Sequence, residues 1–282
     1  MRFTFLGTGT SAGIPMIGCG CAVCMSEDPR DRRLRASALV EWDDPEGQPR
    51  AVLIDASPDL RQQVLRHEPL HPVEGRGPGL ARLDAVLFTH NHVDHTFGLD
   101  EVRRFNAVMR QAIDVYADAH TLEHLFRVYA HIFRADDNVQ RSFVATLEPH
   151  ELQPHEPIEL WGVRFTPVPM LHGRLPILGF RIEPVDGRLV ADWAPLVYAT
   201  DTSAVPDEAR RHLVGLRTLV LDALRHRPHE THMTLAQAVA EAGGIGADRT
   251  LFVHMAHELP HAASEAALPA SMGLAYDGLR LG

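Results

Sequence analysis

One run of six residues constrains this chain more than any other: His90-Asn91-His92-Val93-Asp94-His95. It follows Leu83-Asp84-Ala85-Val86-Leu87-Phe88-Thr89, an apolar run that reads as a buried strand. Three imidazoles and one carboxylate at a strand's end aim several lone pairs at a small volume. Alternation sends His90 and His92 to one side, and the turn that follows brings Asp94 and His95 round to a second point. The pattern suits two divalent metal ions a few ångströms apart, an arrangement that activates water and clamps an ester in hydrolysis. With 18 histidines in 282 residues some clustering arises by chance. The spacing H-x-H-x-D-H directly after a strand outweighs that reading.

Two metals need more ligands than this run supplies. His172 follows the strand-like run Phe165-Thr166-Pro167-Val168-Pro169-Met170-Leu171, and Asp201 follows Val197-Tyr198-Ala199-Thr200. His254 ends Thr250-Leu251-Phe252-Val253. Each repeats the layout of the first motif, a ligand at a strand's C-terminal end, and Asp201 has two oxygens with which to bridge cations. A second constellation is Cys19-Gly20-Cys21-Ala22-Val23-Cys24. Thiolates at C-x-C-x-x-C spacing fill three corners of a tetrahedral zinc site, and with no other cysteine in the chain a histidine is the expected fourth ligand. His257, three residues past His254, is the attractive choice. Such a closed site contributes folding energy and no catalysis.

His232 stands just before a helix, where a histidine near the metals serves as a general acid for the leaving oxygen or holds a phosphoryl oxygen. His226 and His229 compete for that role on sequence grounds. The expected catalytic residues are His232 and Asp94. Asp55, at the end of its own strand, is either an acceptor that orients a ligand histidine or a carboxylate capping the core.

All 27 basic residues are arginine, which excludes a Schiff-base lysine and a Walker-type phosphate lysine. The net charge of −10 argues against long nucleic acid as a partner. The N-terminus reaches Gly7 and Thr8 before a signal-peptide core forms, and no apolar run is long enough to span a bilayer, so no membrane partner is expected. Three cysteines within six residues make a poor disulfide framework, and a cytoplasmic location fits. The partner expected is a small-molecule ester, and a homodimer is compatible with the chain.

Local signals predict an α/β chain. Arg2–Leu6 is a strand, followed by the glycine-rich turn Gly7 to Gly13, read as a turn needing positive φ in preference to a phosphate cradle. Ala36–Trp42 and Arg50–Asp55 form a hairpin, and Ser57-Pro58-Asp59 opens a helix with a serine cap and proline at its first position. Glu74-Gly75-Arg76-Gly77-Pro78-Gly79 reads as a flexible connection. Helices are expected over Asp100–Gln111, His120–Phe133 and His232–Ala242, the last ending at Gly243-Gly244. Further strands are expected at Ile113–Tyr116, Ile158–Leu160, Val163–Val168, Leu178–Glu183 and Leu196–Thr200, and within Leu216–Ala223. Helices alternate with strands but hairpins interrupt the order, which fits two mixed sheets between outer helices in one domain over 1–282.

The set of Leu6-Gly7-Thr8-Gly9, H-x-H-x-D-H, His172, Asp201 and His254 resembles the metallo-β-lactamase superfamily over most of the chain. The resemblance implies an αββα four-layer sandwich of two mixed β-sheets. It implies His90, His92 and His172 on one metal, Asp94, His95 and His254 on the other, and Asp201 bridging. The C-x-C-x-x-C and the H-x-x-H of His254 and His257 resemble the branch holding the phosphodiesterase of the carbon–phosphorus lyase pathway. That branch implies a structural zinc on Cys19, Cys21, Cys24 and His257, manganese or zinc in the active site, and His232 assisting catalysis. This chain departs from it in a helical insertion around 120–148. Ala56-Ser57-Pro58-Asp59-Leu60-Arg61 and the cysteines are also similar to the B protein of pyrroloquinoline quinone biosynthesis, which implies a non-hydrolytic alternative. A lactonase or thioesterase would use the same metals on a carbonyl; a tRNA-processing nuclease of the fold would need a basic arm, which is missing here.

Overall fold

The computed structural model describes residues 1–72, 79–140 and 143–282; most of the glycine-rich connection at 74–79 lies outside them. The first sheet holds β1 (Arg2–Gly7), β2 (Ser37–Asp43), β3 (Pro49–Ile54), β4 (Ala85–Leu87), β5 (Ile113–Ala117) and β6 (Leu147–Glu151), in that spatial order. The second holds β7 (Ile158–Leu160), β8 (Val163–His172), β9 (Leu175–Pro184), β10 (Leu196–Ala199), β11 (Thr218–Asp222), β12 (Arg249–Val253) and β13 (Met272–Leu274). The last strand, β14 (Arg280–Leu281), returns to pair with β1. Both sheets are mixed: β2–β3 is antiparallel and β3–β4 parallel in the first, β9–β10 antiparallel and β10–β11–β12 parallel in the second.

Alternate side chains of the central strands enter different cores, as a period of two requires. Val52 and Ile54 of β3, Ala85 and Leu87 of β4, Tyr198 of β10 and Val253 of β12 meet Phe3, Phe5, Trp42 and Phe180 between the sheets. Leu53 and Val86 point the other way, onto Leu60, Phe105 and Leu125 from the helices outside the first sheet. Leu219, Leu221 and Phe252 likewise pack on Leu235, Ala238 and Ala242 outside the second. Helix, sheet, sheet and helix thus form four layers, the expected sandwich.

The helices are α1 (Leu60–Arg66), α2 (Val93–Thr96), α3 (Arg103–Met109), α4 (Ala119–Val128), α5 (Ala130–Phe133), α6 (Leu235–Ile245) and α7 (His261–Ala266). Several boundaries differ from expectation. α1 begins at Leu60, not at Pro58, because Asp59 spends its carboxylate on the Arg35 backbone N–H and guanidinium at 2.9 and 2.7 Å. α6 is capped by Thr234 in a reciprocal box with Gln237, runs through Gly243-Gly244, and stops where Gly246 adopts φ +70°. The helix expected over His120–Phe133 breaks at Tyr129, whose hydroxyl donates to the Thr96 carbonyl at 3.0 Å. The 120–148 segment is therefore helical only in part, and its end is the start of β6.

In the glycine-rich turn, Gly13 holds the expected positive φ, +62°, while Gly7 and Gly9 serve close approach. A Cβ on Gly7 would fall 2.0 Å from the Arg35 carbonyl oxygen, and one on Gly9 would fall 2.8 Å from that of Arg33. This lets Thr8 and Thr10 exchange backbone bonds with Met255 at 3.0 and 3.2 Å, pinning the loop beside His254.

Candidate active site

The carboxyl ends of β3, β4, β8, β10, β11 and β12 converge at one rim, and each delivers a polar residue there. β4 leads through Phe88 and Thr89 to His90; α2 then turns Asp94 and His95 inward. His172 ends β8 and Asp222 ends β11, Asp55 and His254 each follow their strand directly, and Asp201 stands one residue past β10. Asp55, Asp201 and His254 hold φ of +63°, +55° and +61°, a left-handed conformation costly for residues with a Cβ. Such strain, of order 1–3 kcal/mol each, persists where the surrounding fold over-determines it.

Two groups of donors result. Ring centroids of His90, His92 and His172 lie 4.6 to 5.6 Å apart, and one nitrogen from each can reach a common point. Asp94, His95, Asp201 and His254 form the second group. Asp201 faces both: its Oδ1 is 3.1 Å from His254 Nε2 and 4.0 Å from His90 Nε2, and its Oδ2 is 3.2 Å from His95 Nε2.

The outer ring nitrogens of His90, His95 and His172 are tethered. Thr89 donates its hydroxyl to Asp55 at 2.8 Å, so its oxygen accepts from His90 Nδ1–H at 2.9 Å. Asp55 also accepts from His95 Nδ1–H and the Thr89 backbone N–H, each at 2.8 Å, and the Thr231 carbonyl accepts from His172 Nδ1–H at 2.7 Å. Each tether fixes the tautomer that turns an Nε2 lone pair inward. The Nε2 atoms of His90, His95 and His254 are buried without a hydrogen-bond partner, an arrangement costly unless a cation sits between them.

The charges agree with that fit. Burial would raise Asp94 and Asp201, but His95 and His254 more than offset it and hold both carboxyls well below the ordinary range. Burial would lower His95 and His254, yet the carboxylates around them push both up. Burial keeps His90, His92 and His172 below ordinary histidine and therefore neutral. A pocket that draws positive charge and offers neutral imidazoles and ionised carboxylates suits divalent metals.

Of the competing histidines, the structure brings in His232. Its ring stacks on His254 at 4.7 Å and lies edge-on to His172 at 4.6 Å, with Nδ1 2.9 Å from Asp222 Oδ2. Burial, then the neighbouring His254, depresses it to about 4. His229 is exposed at the rim, 5.1 Å from His232, and His226 is exposed outside the cluster. Sequence reasoning missed Asp222, although it ends the buried run Leu219-Val220-Leu221 as Asp201 ends its own. It also missed Thr89, Ser11 and His124. A cavity of about 470 Å³ opens over the cluster, lined among others by Ser11, Asn91, His124 and His232.

The cysteines gather apart from this cavity. Cys19, Cys21 and Cys24 Sγ lie 3.2, 3.4 and 3.8 Å from His257 Nδ1. The Cys24 backbone N–H lowers the Cys21 thiol to about 6, and burial pushes Cys24 up to about 11. Fully buried Arg33 ties this loop to the His254 segment, donating to the Ala256 and Leu259 carbonyls at 3.2 and 2.7 Å.

A family model described as a β-lactamase superfamily domain matches residues 50–255, which include every donor of the cavity cluster. The chain belongs to the β-lactamase superfamily. A solved structure described as a new diphosphatase from the PhnP family is 41% identical to this superfamily member, covering 100% of this chain and 97% of its own at a TM-score of 0.82. Coenzyme PQQ synthesis protein B of Methylobacterium nodulans is 30% identical over 232 residues, 79% of this chain and 72% of the relative. An octanoyltransferase of Porphyromonas gingivalis is 34% identical over 281 residues, 99% of this chain, but the chain spans only about half (51%) of that protein's length. These likenesses agree with the two seven-stranded sheets in showing the metallo-β-lactamase fold. Among the described residues no helix is long and apolar enough to cross a membrane.

Proposed function

We propose that this chain is a dinuclear metal-dependent phosphodiesterase acting on a small phosphodiester, a cyclic sugar or nucleotide phosphate being the expected kind. The observation that carries the reading is Asp201, placed between two donor groups in which the Nε2 atoms of His90, His95 and His254 are buried with no hydrogen-bond partner. His90, His92 and His172 would hold one ion, Asp94, His95 and His254 the other, with Asp201 shared. Manganese or zinc at these positions supplies the charge that makes water a nucleophile near neutral pH and neutralises phosphoryl oxygens. Cys19, Cys21, Cys24 and His257 would hold a structural zinc, with four ligands and no open position.

The chain's own groups do the rest. Asp55, Thr89 and the Thr231 carbonyl keep the imidazoles of His95, His90 and His172 in one tautomer. Asp94 keeps its carboxylate on the cluster. Asp222 anchors His232 Nδ1 and leaves Nε2 on the cavity side, where the ring would position the departing group. The 41% identity to a protein described as a diphosphatase supports phosphorus as the electrophile. The absence of lysine and the acidic surface favour a small substrate over a long nucleic acid.

The likeness to PQQ synthesis protein B supports a second reading, a non-hydrolytic role in cofactor biosynthesis, and a lactonase or thioesterase would need the same metals. A panel of bis(p-nitrophenyl) phosphate, p-nitrophenyl phosphate, a lactone and a thioester separates the three, with Asp201→Ala as control. Diester turnover lost in the variant is the expected result. Carbonyl turnover alone would move the protein to the lactonase or thioesterase reading, and silence on every ester to the cofactor reading.

A further inference from the structure

Ala56-Ser57-Pro58-Asp59-Leu60-Arg61 lies outside both donor groups of the metal centre. Its polar side chains converge on Arg35 instead. Asp59 Oδ2 accepts from the Arg35 backbone N–H at 2.9 Å, and Asp59 Oδ1 accepts from the Arg35 guanidinium at 2.7 Å. Ser57 donates its hydroxyl to the Gln63 side-chain oxygen at 3.1 Å, and Gln63 Nε2 donates in turn to the Arg35 carbonyl at 2.9 Å. Arg35 is thus held through its backbone N–H, its carbonyl and its guanidinium. A further guanidinium N–H, on Nε, donates to the Ser11 carbonyl at 3.1 Å.

Ser11 sits in the glycine-rich turn, whose backbone is fixed on either side of it. The Gly13 N–H donates to the Thr10 carbonyl at 2.8 Å, and the Thr10 N–H donates to the carbonyl of Met255, the residue after His254, at 3.2 Å. What this frame presents is a hydroxyl. Ser11 is exposed and lines the metal cavity beside Asp94, Asp201 and His254, and its side chain has no hydrogen-bond partner among the described residues. Arg35 itself does not line the cavity. A donor whose backbone is ordered in advance binds without the cost of ordering it. The two carboxylates that line the cavity are acceptors, as are phosphoryl oxygens, so a neutral hydroxyl there supplies a donor that those carboxylates cannot.

We propose that Ser11 donates its hydroxyl to a non-bridging phosphoryl oxygen of the substrate, and that Arg35 and Asp59 are positioning residues that hold it there. This rests on the phosphodiesterase reading and adds a substrate contact to it.

The test uses the full, metal-loaded chain as wild type, Ser11→Ala, Ser11→Thr, Arg35→Lys and the double variant Ser11→Ala with Arg35→Lys. Calorimetry gives the affinity for inorganic phosphate, and initial rates give kcat and KM on bis(p-nitrophenyl) phosphate. Ser11→Ala should weaken phosphate binding by roughly ten-fold and raise KM by a similar factor, with kcat kept within about two-fold. Threonine, which keeps the hydroxyl, should stay within about three-fold of wild type. Lysine at position 35 keeps a charge opposite Asp59 but lacks the fork that reaches Asp59 and Ser11 together, and should weaken phosphate by about three-fold. Because Arg35 acts through Ser11, the double variant should bind phosphate no more weakly than Ser11→Ala alone. Unchanged phosphate affinity in Ser11→Ala, failure of threonine to restore it, or additive losses in the double variant would overturn the proposal. A wild type that hydrolyses no diester yet binds phosphate in a Ser11-dependent way would overturn the phosphodiesterase reading and support the contact.

Discussion

Replacing Asp55 by asparagine should strip the metal centre of its order while changing almost no volume. Asp55 is fully buried and accepts from three donors at 2.8 Å: the Thr89 backbone, the Thr89 hydroxyl and His95 Nδ1–H. An asparagine there keeps one acceptor and presents an NH2 to the others. Facing His95 Nδ1, that NH2 forces the proton onto Nε2, the atom 3.2 and 3.3 Å from Asp201 and Asp94. The Thr89 hydroxyl shares that same Asp55 oxygen, so an NH2 there also turns the hydroxyl to donate to His90 Nδ1. In the other orientation the NH2 opposes the buried Thr89 backbone N–H, which disfavours it. The favoured orientation therefore costs ligand imidazoles their inward lone pairs. Outer partners of this kind are worth roughly 10- to 100-fold in metal affinity, and Asp55 serves a histidine in each donor group. A 100-fold loss removes about 2.7 kcal/mol of metal-dependent stabilisation at a fixed metal concentration. At roughly 2–4 °C per kcal/mol for a chain of this size class, the metal-induced rise in Tm should shrink by about 5–10 °C. Melting with and without chelator, paired with metal analysis by mass spectrometry, reads both quantities. Full metal content and an undiminished metal-induced Tm shift in Asp55→Asn would refute the tautomer argument.

Other outcomes follow from the same geometry. His232→Ala should lower kcat on bis(p-nitrophenyl) phosphate by roughly 10²- to 10⁴-fold with the active-site metals retained, as measured by kinetics beside metal analysis; loss of those metals would show that His232 is a ligand instead. Cys24→Ser should remove one zinc equivalent and lower Tm while leaving the two other equivalents bound, which metal counting checks. Glu41 is buried, which raises its carboxyl, but His67 and Arg2 outweigh burial and hold it below the ordinary value of 4.5. Its folded pKa is depressed, so its contribution is present above the unfolded value and lost as pH falls through the folded one. Glu41→Gln should therefore flatten the acid side of a stability–pH curve from denaturant melts between pH 6 and 3, and an unchanged slope would contradict the pairing.

The metal residues were legible because His90, His172, Asp201 and His254 stand at or within three residues of the end of a buried strand, so an apolar run leading to His or Asp marks the rim. The same signal was present at Asp222 and went unread, since one acid at the end of one run has no distinguishing partner in the sequence. His124 carried no such signal. Its place depends on where α4 folds over the cavity, and that is set by the contacts of Leu122 and Leu125 with the core of the first sheet. The break at Tyr129 was hidden because the bond from its hydroxyl to Thr96 links residues 33 apart. β13 and β14 were unreadable for a simpler reason: strands of three and two residues have too few positions to show a period. The resemblance to a known superfamily supplied the partition of ligands between two metals, and the distances around Asp201 are consistent with it.

The most direct test of a dinuclear phosphodiesterase is a metal titration of the chelated protein with bis(p-nitrophenyl) phosphate turnover read at each equivalent. A structural zinc fills first without activity, and the account predicts that diester hydrolysis rises only as two further equivalents bind, with no turnover at any equivalent in Asp201→Ala. Full turnover with a single active-site ion, or metal binding to completion with no diester hydrolysis, would contradict it.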